Sequence, residues 1–450
     1  MHTLKDILFA RSIAVVGASA DPLKMGHILL KNLIEGGYQG DLYPVNLKEE
    51  NILGLPCVKS VAEIKGVLDL VIICVPAKLA LPVIHEAGEK GARGAIVISG
   101  GFKEVGNDQM ECELVDAAKS YGMRVIGPNC QGVNYTANRM CATWPLIKTR
   151  GAIGVVSQSG TIGAEMELLA EKDGIGVSCF AALGNKSDID ETDFIDFFAK
   201  DPNTKVIAIN IEGIQDAERF IGAVTGAVQE KPVVILKPGR TEKGKLAVAS
   251  HTKSVAGNDR IFTAFCKKHG ILRAFGMDDF YDLCKISIGT IPPGGNRLVI
   301  LTSSGGAGIL AADIVEDCGL DLPALDESLR SILQKVLPAQ CVLSNPLDLT
   351  GDATSERYET ALGEIIKQNC FDVILAIFGD PISGACRVLK NLEKPVPVVA
   401  CYLGGGEVQK QEELLMNQAG IPVFPTPERA VKAIAALVDS AVRKRRITIK

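Results

Sequence analysis

Residues 153–166 read IGVVSQSGTIGAEM. An apolar run gives way to Ser157, Ser159, Gly160 and Thr161 just ahead of a helical pattern, a strand–turn–helix whose unsatisfied first-turn N–H groups suit a phosphate. The arrangement returns at residues 296–312, NRLVILTSSGGAGILAA, with Ser303, Ser304, Gly305, Gly306 and Ala307 at the turn. Downstream, GNKSDIDETDFIDFF (184–198) is paralleled by SNPLDLTGDATSERYETAL (344–362), and KVIAINIEG (205–213) by FDVILAIFGD (371–380). Residues from about 150 to 290 and from about 296 to 450 therefore read as two copies of one βα module. Each helix start offers an anion about half a positive charge.

The first third follows the same plan. SIAVVGASADPLKM (12–25) is a strand broken by Gly17 and followed by a helix beginning near Lys24 and Met25. Gly17, Ala18 and Ser19 form a nucleotide-type first turn, although G-A-S is not the G-x-G-x-x-G of a dinucleotide site. The second strand ends at Val45 and Asn46 with Lys48 close behind. An NAD fold carries an acidic residue there, so NAD is disfavoured and a ligand with additional phosphate is expected. Further strands at 68–77, 92–102 and 123–130 end at Val75-Pro76, Ser99-Gly100 and Asn129-Cys130. Strands alternating with helices of ten or more residues make parallel βαβ sheets with ligands at the carboxyl ends. Cys130 reads as a packed thiol, since no base adjoins it, and His27 and His85 as packing residues. Residues 138–150, with the only tryptophan, show no period and read as a connection.

At 450 residues the chain is too long for one core. The expectation is an α/β protein of three doubly wound parallel-sheet domains, 1–149, 150–292 and 293–450. A net charge of −5 excludes a general nucleic-acid role, and the basic run at 443–446 reads as a solvated tail. Thirteen cysteines without a C-x-x-C pair support neither a disulfide framework nor a metal site. With no signal sequence and no apolar run of the ~18 residues a membrane helix needs, a cytoplasmic protein is expected.

The chemistry centres on residues 245–259, KLAVASHTKSVAGND, which place His251, one of five histidines, on a loop of small residues. A neutral imidazole is both nucleophile and proton acceptor near pH 7. Just upstream, GRTEKGKL (239–246) nearly matches a P-loop, but Leu246 stands where a magnesium-ligating Ser or Thr is required, so a P-loop NTPase is rejected.

Taken in order, VVGAS, GPNC, VSQSG, LGNKSDIDE, SHT-x-S-x-AG and NPLDLTGDAT resemble the α subunit of the NDP-forming acyl-CoA synthetases, such as ADP-forming acetyl-CoA synthetase, relatives of succinyl-CoA synthetase. The resemblance spans almost the whole chain. It implies a Rossmann-like CoA-binding domain followed by two flavodoxin-like domains, with CoA at the first domain's strand ends. It also implies phosphate at Ser159, Gly160 and Thr161 and at Gly305, Gly306 and Ala307. His251 would take a phosphoryl group from an acyl phosphate, and Glu212 would orient it. The substrates implied are CoA, phosphate and a small carboxylic acid. An ATP-grasp β subunit would hold Mg2+ with ADP or ATP, making a hetero-oligomer. Two positions depart from the pattern: Lys253 within SHTKS and Gln131 within GPNCQG. Two other functions are weighed, a CoA-binding regulatory protein with an idle histidine and a related acyl or carbamoyl phosphate transferase.

Overall fold

The computed structural model describes residues 2–252, 257–393 and 396–448, so Lys253 lies outside the described residues. Strands run in chain order as β1 (Ser12–Val16), β2 (Asp41–Val45), β3 (Asn51–Ile52), β4 (Leu55–Pro56), β5 (Leu70–Ile73), β6 (Gly94–Val97) and β7 (Arg124–Ile126). Then come β8 (Gly132–Tyr135), β9 (Met140–Ala142), β10 (Arg150–Ser157), β11 (Val177–Ala182), β12 (Val206–Asn210), β13 (Val233–Leu236) and β14 (Leu272–Ala274). The last are β15 (Leu298–Thr302), β16 (Val342–Leu343), β17 (Leu347–Asp348), β18 (Val373–Phe378), β19 (Val398–Tyr402) and β20 (Val423–Phe424). The chain packs as two compact units, Met1–Lys172 with Gly176–Thr263, and Asp173–Ile175 with Ala264–Lys450.

In the first unit, β2-β1-β5-β6-β7 form a parallel sheet. Its order, with the β3–β4 hairpin set aside, is 2-1-3-4-5, and β1, β5 and β6 are buried along their whole length, as strands covered by helices on both faces must be. The chain reverses direction across the sheet between β1 and β5, which puts a crevice at the ends of those strands. A second sheet in the same unit runs β13-β12-β10-β11-β8-β9. Its first four strands are parallel, whereas β8 lies antiparallel to β11 and β9 antiparallel to β8. Residues 138–150 are therefore not merely a connection. Met140–Ala142 closes a hairpin that covers the otherwise open edge of β11, a pairing too short and too distant in sequence to leave a period.

The second unit contains β16-β17-β15-β18-β19-β20. The stretches β13-β12-β10-β11 and β19-β18-β15-β17 repeat one order, the one expected of two copies of a module. Three mostly parallel sheets thus confirm the α/β architecture.

The helix Gly160–Lys172 lies so close to β11 that a Cβ on Gly163 would overlap the Phe180 ring. One turn further on, Glu167 is wholly buried. Its Oε1 accepts from Asn134 Nδ2 at 2.9 Å, while Oε2 finds no hydrogen-bond partner among the described residues. Burial raises its pKa to about 8, against the opposing Asn134 hydrogen bond. The folded protein therefore keeps a proton that the unfolded chain releases above 4.5. Stability from this group is complete below that pH and is lost as pH rises through about 8. Glu167→Gln is expected to remove a slope of about 1.4 kcal/mol per pH unit from the urea-unfolding free energy across this window. An unchanged slope would show that Glu167 is not the group responsible.

Candidate active site

β10 ends at Ser157, and the next helix starts at Gly160. The buried Ser157 hydroxyl sits 2.5 Å from the Ser159 carbonyl and 3.0 Å from Asn210 Oδ1, and Gly163 N–H donates to the Ser159 carbonyl at 3.2 Å. The turn is closed by a side chain, so the first-turn N–H groups at Gly160 and Thr161, which a helix cannot satisfy internally, are not spent on it. In the second unit two of these bonds recur and a side-chain cap is added. Thr302 Oγ1 donates to the Ser304 carbonyl at 2.8 Å, Gly308 N–H donates to that carbonyl at 3.0 Å, and Ser304 Oγ caps Ala307 N–H at 3.5 Å. Its surroundings differ: a Cβ on Gly305 would fall 2.8 Å from Asp348 Oδ2, so a carboxylate flanks the Gly305–Ala307 turn.

Beside the first turn, Glu212 follows β12 and is buried. Three buried side chains grip its backbone and that of Gly213. Gln158 Oε1 accepts from the Glu212 and Gly213 N–H groups at 2.9 and 3.4 Å. Lys186 Nζ donates to the Gly213 carbonyl at 2.8 Å, and Lys237 Nζ to the Glu212 carbonyl at 3.3 Å. Lys186 also pairs with Glu191 at 2.8 Å, with both side chains at most 3% exposed. Burial pushes the Glu191 carboxyl up while the lysine pulls it down. The other acids of this motif are structural: Asp188 and Asp193 bind Arg124, and Asp190 and Asp193 bind Arg219.

The segment Gly127–Gly132 joins this region to the first sheet. Asn129, at φ 56°, donates through its N–H to the Ser99 carbonyl at 2.9 Å, and Asn185 N–H donates to the Pro128 carbonyl at 2.9 Å. A Cβ on Gly184 would overlap the Pro128 and Asn129 carbonyls, so only glycine lets the two loops meet. Asn185 Nδ2 also donates to Glu104 at 2.6 Å. Burial works against the Glu104 charge, but this bond and those from Gly101 and Phe102 N–H outweigh it and hold the carboxyl below its usual range. Beyond Cys130, the Gln131 side chain lies over Gly160, where a Cβ would overlap it.

At the first-sheet edge, Gly17 has φ 88° and Gly26 packs where a Cβ would overlap the Gly17 carbonyl. The helix begins at Met25 after Lys24, as the sequence indicates. Lys24 and Lys48 are exposed near the turn. Asn46 is a structural tie: Nδ2 donates to the Ala18 carbonyl at 2.7 Å, and Oδ1 accepts from the Lys48 and Glu49 N–H groups. The Ser99 hydroxyl donates to the Val75 carbonyl, binding neighbouring strand ends together. Pro76 and Gly100 are exposed beside them. The Cys130 thiol donates to the Val97 carbonyl at 3.3 Å, and burial pushes its pKa up to about 12, which leaves it a packed thiol. His27 likewise packs, with Nδ1 2.8 Å from the Ser19 carbonyl.

The histidine segment departs from expectation. Glu242–Thr252 is helical, so the backbone of His251 sits on a final helical turn and not in a loop. The Lys-Leu-Ala-Val-Ala run favours that helix, and the small residues read as loop-forming are compatible with it. The His251 side chain lies outside the described residues. Gln158, Lys186 and Lys237 were not singled out from the sequence. Lys237 alone left a local signal, a cation closing the apolar strand VVIL just before Pro238 and Gly239.

Family models described as CoA binding domain, succinyl-CoA ligase like flavodoxin domain and ligase-CoA domain match residues 11–136, 150–287 and 298–447. The chain is 38% identical to subunit alpha of acetate–CoA ligase [ADP-forming] I of Pyrococcus furiosus, over 97% of each chain. It is 30% identical to 4-hydroxybutyrate–CoA ligase [ADP-forming] of Nitrosopumilus maritimus, over 96% of this chain and 63% of that one. Among solved structures, it is similar to the dinucleotide-forming acetyl-coenzyme A synthetase 1 of Ca. Korarchaeum cryptofilum in complex with phosphate and ADP. That match has a TM-score of 0.90 and 36% identity, and covers 100% of this chain and 99% of that one.

Removing Lys186 from its buried pair would strand Glu191 and release the Gly213 carbonyl. Lys186→Met is expected to cost about 3–5 kcal/mol in chemical denaturation. The double change Lys186→Met with Glu191→Leu should recover most of that loss, and a single variant as stable as the parent would disprove the clamp.

Proposed function

The chain belongs to the family of the ADP-forming acetate–CoA ligase α subunits, and on that premise we propose that His251 carries a phosphoryl group from an acyl phosphate made on this chain to ADP on a partner subunit. Membership makes the protein an ADP-forming acid–CoA ligase chain, and favours that activity over a CoA-binding regulator or a carbamoyl phosphate transferase. In this reading residues 1–149 bind CoA, 150–292 carry His251 and 293–450 supply the second phosphate turn.

The steps follow from the chemistry. An oxygen of inorganic phosphate attacks the thioester carbonyl, the C–S bond breaks, and CoA leaves as the thiol with acyl phosphate formed. The neutral imidazole of His251 attacks phosphorus, the bond to the carboxylate oxygen breaks, and the acid is released. Phosphohistidine then passes the group to ADP, restoring the imidazole. The reverse sequence makes acyl-CoA from acid, CoA and ATP.

The observation that carries this reading is the placement of Glu212. A buried carboxylate whose backbone is fixed by Gln158, Lys186 and Lys237 suits the task of accepting Nδ1–H from His251 and leaving Nε2 to attack. The Gly160 and Thr161 N–H groups suit the transferred phosphate, with Gly305, Gly306 and Ala307 in the same role in the second unit. The cradle at Gly17, where close approach of helix and turn excludes side chains, together with Lys24 and Lys48, fits the phosphates of CoA. We assign the nucleotide and its Mg2+ to an ATP-grasp β subunit, and the protein to the cytoplasm. Among the described residues, no helix is long and apolar enough to cross a membrane.

With the partner subunit, acyl-CoA and labelled phosphate, the chain should acquire acid-labile, base-stable label that is lost in His251→Ala. Glu212→Gln should lower kcat about 10–100-fold with little change in KM for CoA. Label persisting in His251→Ala would overturn the phosphohistidine.

A further inference from the structure

Gln131 lies between the strand edge assigned to CoA and the phosphate turn. Its backbone continues the Asn129-Cys130 edge assigned to CoA, and its side chain lies over Gly160 of the phosphate turn. Because the acyl carbon is bonded first to the CoA sulfur and then to a phosphate oxygen, it must pass between those two edges. Gln131 borders that passage.

The amide is held in one orientation. Its Nε2 donates to the Trp144 carbonyl. A carbonyl only accepts, so the NH2 must face Trp144, and Oε1 is left on the Gly160 side. The Gln131 carbonyl accepts from Thr143 Oγ1 at 2.7 Å, and the Thr143 carbonyl from Asn32 Nδ2 at 2.7 Å, so the backbone on both sides of the contact is fixed. Among the described residues Oε1 has no protein donor, and because Gln131 is only half-buried that oxygen is open to water or to a ligand.

We infer that Gln131 is a specificity residue whose fixed, unpaired acceptor selects short carboxylic acids bearing a hydroxyl group. Such an acid replaces the water on Oε1 with its own hydroxyl donor, a plain alkyl acid displaces that water and leaves Oε1 unpaired, and a second carboxylate is repelled by it. A site built to hydrogen-bond a substrate hydroxyl discriminates strongly against the analogue that lacks it. This inference rests on the ligase reading above and adds a substrate class to it.

The test uses the complex with its partner subunit, supplied with CoA and ATP, and compares kcat/KM for butyrate with that for 2-, 3- and 4-hydroxybutyrate. At least one hydroxy acid should exceed butyrate by about tenfold or more. Gln131→Leu should erase that ratio, lowering the hydroxy acid while raising butyrate, a split between substrates that a merely structural loss would not produce. The sole tryptophan, Trp144, should change its emission when the preferred acid binds the parent protein. Turnover of these acids with no hydroxyl preference, or a ratio unchanged in Gln131→Leu, overturns the role of Gln131 and leaves the ligase reading standing. No CoA-dependent turnover of any carboxylic acid, acetate included, would overturn both.

Discussion

The peptide between Glu212 and Gly213 is the constraint on which the rest of the first unit depends. It lies just past the end of a fully buried strand, where the sheet ladder no longer supplies partners and water is excluded. Backbone polar groups in such a place are costly unless something satisfies them. Here each of four groups is claimed by a buried side chain, and the three side chains come from three separate segments, the β10 turn, the 184–188 loop and the end of β13. None of those segments can shift without leaving an orphaned group. The Glu212 main chain is thereby held in place. The two lysines also bring buried side-chain amines to a place where phosphate chemistry would add negative charge.

Duplication explains why the second unit resembles the first and not why it differs. The bond from Ser157 or Thr302 across its turn is reproduced almost atom for atom, because it follows from a hydroxyl residue two positions before a Ser carbonyl at the end of a buried strand. The surroundings are not reproduced. The first turn faces a neutral amide and the second a carboxylate. A dianion would meet different fields at the two turns, so equal backbones need not mean equal affinity.

What could be read in advance depended on range. The strand–turn–helix units at Gly17, Ser159 and Gly305 were legible because each is local, a run of apolar residues followed within four positions by small or hydroxylic ones. The doubled topology was legible because the units repeat. The helix at 242–252 was misjudged because Ala, Ser and Gly serve loops and helices alike, and the choice turns on propensities worth only tenths of a kcal/mol per residue. The Glu212 clamp was not legible: Gln158, Lys186 and Lys237 lie 25 to 55 residues from the groups they hold, and apart from the cation that closes VVIL no local pattern marks such a partner. Lys186 also adopts φ 52°, an uncommon conformation for a non-glycine residue, in which its side chain makes both buried bonds.

The antiparallel hairpin β8–β9 has a consequence for how the protein is made. Its residues, 132–142, emerge from the ribosome ahead of β10 and β11, yet β8 pairs with β11, whose last residue is Ala182, and β9 pairs with β8. For the time taken to synthesise that interval, about 2–10 s at ordinary elongation rates, two buried strands have no sheet to join. The first sheet can close as soon as β7 emerges, but the nascent hairpin must wait for β11, and during that interval its edges are open to mispairing.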